Sequence, residues 1–247
     1  MSGRALLAWA RDVSLRDDRL PGFSAPAAAS TLSDSSFSDG LLLAAFAIGL
    51  AKANPADLNL CTGAEAGTRD GAITNATAAL ELLSGAAERA DVTAADVVDG
   101  DADKIAALLR EAFYDNVVGG SRDDVVTWGA DLLGDAVGEG WLSDPTALMA
   151  VATSANRTIS GAPSSESPSS AVEAMAMAAA SAGLPAELVP EAVDADDEDA
   201  VLVWAGLVRR ASLDAIHQGA ASASASDATN TPLVRPCPCA RMLCACA

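Results

Sequence analysis

The sequence predicts an all-α protein built from two related helical units in tandem, followed by a disordered tail. Three observations predict it. Half of the 247 residues are apolar (51%) but only 4% are aromatic, so the core must come from Leu, Val, Ala and four Trp. A chain this rich in Ala and Leu favours helix. Apolar residues also recur at three- and four-residue spacing in one segment after another, as amphipathic helices require. Finally, the order of those segments starts again after Gly119-Gly120. The length suits two domains of roughly 100–150 residues each, with boundaries at 1–118, 121–217 and 218–247.

In the first unit, Leu6, Leu7, Ala10 and Val13 recur around Trp9 and predict a helix ending near Asp17. The Ser-, Ala- and Pro-rich stretch from Pro21 to Ser36 lacks periodicity and reads as a loop. Ser38-Asp39 supplies N-cap oxygens for a helix from Gly40 to Lys52, which Pro55 stops. A third helix is predicted from Ala72 to Arg89, with Ile73, Ala76, Leu80 and Leu83 on its apolar face. A helical turn at Ala94 to Val98 leads to a long helix from Asp103 to Asp115, whose Ile105, Leu108, Leu109 and Phe113 face inward.

The second unit repeats this order in shorter form. Val125-Val126-Thr127-Trp128 answers Leu6-Leu7-Ala8-Trp9, and Leu142-Ser143-Asp144 before the apolar stretch Ala147 to Ala152 answers Phe37-Ser38-Asp39 and its helix. Pro145 stands where the first unit has Gly40. After a Ser/Pro linker from Gly161 to Ser170, an Ala/Met helix from Ala171 to Ala182 corresponds to the third helix, Leu188 to Val193 to the helical turn, and Asp199 to His217 to the closing helix. From Gln218 onward, Ala/Ser repeats and then Pro/Cys offer too little large apolar surface to offset the entropy of ordering, which predicts disorder.

Charge narrows the classes of partner. With 34 acidic and 15 basic residues, the net charge is −19. Nucleic acid and anionic membranes are therefore not expected as partners, because both are bound through clustered Lys and Arg. The longest apolar run, Leu41 to Ala51, falls short of the roughly 20 residues of a membrane-crossing helix. The N-terminus lacks the pattern of a signal peptide, and four of the five Cys lie in the last eleven residues, which indicates a reducing, cytoplasmic setting without a disulfide framework. The Asn75-Ala76-Thr77 and Asn156-Arg157-Thr158 sequons are then chance matches.

Catalytic and metal chemistry find little footing. Asp99, Asp101 and Asp103 have the odd-position acids of a calcium loop, but Lys104 stands where Gly is needed and Arg110 where the bidentate Glu should be. The acids from Asp194 to Asp199 lack the Gly as well and suit a helix N-terminus. Cys237-Pro-Cys239 and Cys244-Ala-Cys246 do not have the spacing of structural zinc sites. His217 is the only imidazole, and no phosphate-binding or dinucleotide-binding glycine motif is present. No cofactor, no metal and no enzymatic activity are expected. Trp9, Trp128 and Trp204 lie on apolar helix faces and are expected in the core, with Trp141 only partly buried. One candidate contact surface remains: the basic edge of the first helix and its continuation, Arg4, Arg11, Arg16 and Arg19. Local positive charge can meet an acidic partner even when net charge opposes approach. Its bland counterpart is a solvated face on which these residues pair with Asp12, Asp17 and Asp18.

The order of parts resembles the calponin-homology domain: a Leu-Leu-x-Trp first helix, a Ser-Asp-Gly-Leu helix start, an amphipathic third helix, a Thr-x-x-Asp-Val-Val turn and a closing helix, across most of residues 4–216. Within that family, Val92 to Gly100 followed by Leu108 to Phe113 is similar to the end of the second such domain of the fimbrin (plastin) group. Leu202 to Leu213 is similar to the end of the third. The resemblance implies two calponin-homology-like domains in tandem, non-catalytic binding to actin filaments, cross-linking or bundling of those filaments, and a place in the cytoskeleton. The rival expectation is an interaction scaffold or microtubule-associated module of the same fold, since fold alone does not fix the partner.

Overall fold

The computed structural model describes residues 4–15, 37–134, 139–161, 167–191, 193 and 198–229, with side chains of the last helix as far as Gln218. Among these residues α-helix is the dominant regular structure and strands are absent. The first half holds α1 (Arg4–Leu15), α2 (Leu41–Ala51), α3 (Arg69–Leu82), α4 (Ser84–Ala90), α5 (Ala94–Val98) and α6 (Ala102–Phe113), which continues into a π-helical turn, Tyr114–Val118. The second half holds α7 (Arg122–Leu133), α8 (Pro145–Ser160), α9 (Ala171–Ser181) and α10 (Glu198–Thr229). No helix among the described residues is long and apolar enough to cross a membrane.

Short polar side chains set most of the helix starts. Thr93 and Asp96 form a reciprocal capping box on α5, and Ser121 and Asp124 form one on α7. Asp101 accepts from the Lys104 amide to start α6, and Ser170 from the Glu173 amide to start α9. The two copies of the Ser-Asp segment act alike. Asp39 Oδ1 accepts from the Leu41 amide at 2.9 Å, and Asp144 Oδ1 from the Thr146 amide at 2.8 Å. Gly40 and Pro145 meet this shared need differently. Gly40 has φ 71°, and a Cβ there would lie 2.7 Å from the Ala76 nitrogen, so only glycine lets α2 start against α3. Pro145 is the first residue of α8, where its missing N–H costs nothing.

In the first half, Trp9 of α1 meets Phe46 of α2 at 5.0 Å and Phe113 of α6 at 5.1 Å, both edge to face. Asn75 of α3, itself fully buried, ties the segment between α2 and α3 to the start of α2. Its Nδ2 donates to the carbonyls of Asp39 and Cys61, while its Oδ1 accepts from the Cys61 amide at 2.8 Å. In the second half α8 packs along α9 and against α7 and α10. Trp204 of α10 is buried with its indole N–H donating to the Met175 carbonyl at 3.1 Å.

The halves share one large buried apolar cluster with members from Ala5 to Val208, beside which Ala45 and Ile48 of α2 form a small separate one. At the join, α10 lies so close to the first half that a Cβ on Gly206 would fall 2.6 Å from the Phe113 ring, and Arg209 donates to the Val118 carbonyl at 2.8 Å. Helix α1 packs against α2 and α6 of its own half and also against α10 and the 3-10 turn Ala186–Leu188 of the other.

Four expectations are revised in detail. The third helix is two helices, because Leu83 leaves the helical conformation (φ −105°, ψ 25°) to reach the core, and Ser84-Gly85 follow with little helical preference of their own. Trp141 is wholly buried, whereas Trp128 is only half-buried. Gly129 opens a gap in α7 that Trp141 fills. The closing helix runs on to Thr229, twelve residues past His217, through an Ala-rich stretch that the sequence reading gives to the tail. The loop 21–36, the Cys-rich segment and Asp194, Asp196 and Asp197 lie outside the described residues.

Candidate partner-binding edge

The candidate surface begins with α1. Its sequence is apolar on almost every side, and the structure uses each of those sides: Ala5, Leu6, Leu7, Trp9 and Ala10 are buried, as is Ser14, whose hydroxyl donates to the Ala10 carbonyl. Ala8, Arg11, Asp12 and Val13 are half-buried, and only Arg4 is exposed. A helix enclosed by both halves offers an incoming partner a narrow strip.

Two of the four predicted contact residues can be placed. Arg4 donates to Glu191 Oε1 at 2.7 Å, an exposed ion pair joining α1 to the segment before α10. Arg4 in turn holds the Glu191 carboxyl below its ordinary range. Arg11 sits two turns further on with its Nε buried and without a hydrogen-bond partner. Burying a donor without an acceptor costs free energy, so the remaining capacity of this guanidinium is the unsatisfied feature of the strip. Arg16 and Arg19 lie outside the described residues. Glu191 is the residue that sequence reasoning missed: no local pattern links positions so far apart in the chain.

Elsewhere among the described residues, five basic side chains pair with acids of the same chain. Arg69 forms a two-point pair with Asp99, Arg89 bridges Glu111 and Asp115, Lys104 pairs with Asp91, Arg122 with Glu198, and Arg210 with Asp214. The Arg69 pair holds Asp99 below the usual carboxylate range, and the two acids beside Arg89 strengthen its hold on the proton. Two of the three acids of the calcium-like run are thus occupied structurally, Asp99 by Arg69 and Asp101 by the start of α6. Among the described residues no group of three or more His, Cys, Asp or Glu is placed to hold a metal ion. His217 is exposed on α10.

Among the described residues the protein is mostly helical, its net charge is strongly negative, and α1 carries Arg4, paired with Glu191, and the half-buried Arg11. The chain matches no protein-family model, and no curated protein matches it.

Proposed function

We propose that this chain is a non-catalytic binding protein of the calponin-homology type and that its partner is the actin filament. One observation carries the reading. The segments bearing the family-like motifs close on one another through Trp9, Phe46 and Phe113, so the Leu-Leu-x-Trp helix, the Ser-Asp-Gly-Leu helix and the closing helix of the first half form one packed unit. The basic strip of α1, with Arg4 and Arg11, supplies the contact, and Arg16 and Arg19 extend it along the sequence. With a net charge of −19, the body repels an acidic filament at long range. Added salt should therefore speed association before it weakens the local contact.

Co-sedimentation of the full chain with filamentous actin, under reducing conditions and across a salt series, tests this. Saturable pelleting supports filament binding, and low-speed pelleting of the filaments themselves supports cross-linking. A second reading, an interaction scaffold without actin affinity, draws support from the enclosure of α1 and from the engagement of Arg4 by Glu191. A helical, folded chain that stays in the supernatant at every salt concentration overturns the filament reading and favours the scaffold.

A further inference from the structure

We draw no further inference here: the strongest candidate, the open groove of about 210 Å³ between the end of α2, the break separating α3 from α4 and the π-helical turn after α6, lined by Leu50, Leu82, Leu83, Ser84 and Asp115, carries none because nothing in the structure shows what covers it.

Discussion

The indole of Trp141 lies directly against the backbone of Gly129: a Cβ at that glycine would fall 2.2 Å from ring atom Cζ2, and the indole N–H donates to the Val126 carbonyl at 3.0 Å. Gly129→Ala sets two effects against each other. Alanine favours the helix by about 0.5–1 kcal/mol, whereas overpacking a filled core costs about 1–3 kcal/mol. The clash is with a rigid, fully buried ring, so the second effect wins and the variant is destabilised. Urea denaturation measures the sign, and loss of near-ultraviolet dichroism from Trp141 localises it. A Gly129→Ala protein more stable than the parent would show that the ring moves freely.

This pair also shows where the sequence stops being legible. The capping box of Thr93 and Asp96 and the parallel roles of Asp39 and Asp144 are local, involving residues two or three apart, and can be read directly. The burial of Trp141 rather than Trp128 depends on a glycine one helix away, and periodicity alone assigns the core position to the wrong ring. The break at Leu83 is only half visible: Ser84-Gly85 mark a weak point, but the Ala, Leu and Glu before them and the Ala residues after them continue a helix on either side. At the candidate strip the basic residues of α1 are visible in the sequence. Their surroundings, Glu191 and the enclosure by α10, come only from the packing of the two halves.

Asn75 makes three hydrogen bonds from a fully buried site. Asn75→Ala orphans the Cys61 amide and two carbonyls, and with about 1–3 kcal/mol for each buried group left unpaired, a loss of about 3 kcal/mol is expected. Asn75→Asp is the sharper test. It turns a donor into an anion facing two carbonyl oxygens, so the folded-state carboxyl should titrate above its unfolded value. The penalty is then largest at neutral pH and shrinks as pH falls toward about 4. Denaturation midpoints of this variant that decline monotonically on acidification, as is expected of the parent, would contradict the assigned geometry.

The capping carboxylates give the parent protein the opposite pH response. Asp96 and Asp124 are held below their ordinary range by the Thr93 and Ser121 hydroxyls and amides, and Glu173 by those of Ser169. A depressed folded-state value contributes stability that is fully present above the unfolded value of about 4 and is lost as pH falls through the lower folded values. The parent should therefore lose helicity below about pH 4, and Asp96→Asn should flatten part of that decline. Far-ultraviolet dichroism against pH reads both.

Because the large apolar cluster has members from Ala5 to Val208 and α10 sits against Phe113, the two halves should unfold together. A single urea transition, coincident by near- and far-ultraviolet dichroism, is expected. Gly206→Ala, which presses a methyl group into the Phe113 ring, should lower the midpoint for the whole chain by about 1–3 kcal/mol equivalent. Two separate transitions, with Gly206→Ala shifting only one, would show that the join contributes little.

The last prediction concerns the strip itself. If Arg4 is available to a filament only in competition with Glu191, Glu191→Gln removes the competitor together with one negative charge near the contact. Pelleting with actin should rise at low ionic strength, by less than about fivefold because an exposed pair is weak and screened, and the gain should vanish at high salt. Arg11→Leu separates contact from folding in the other direction. Its Nε has no partner to lose, so stability should hold or increase while pelleting falls. If both variants are folded and both bind as the parent does at every salt concentration, the α1 strip is not the filament contact, whatever the affinity of the chain as a whole.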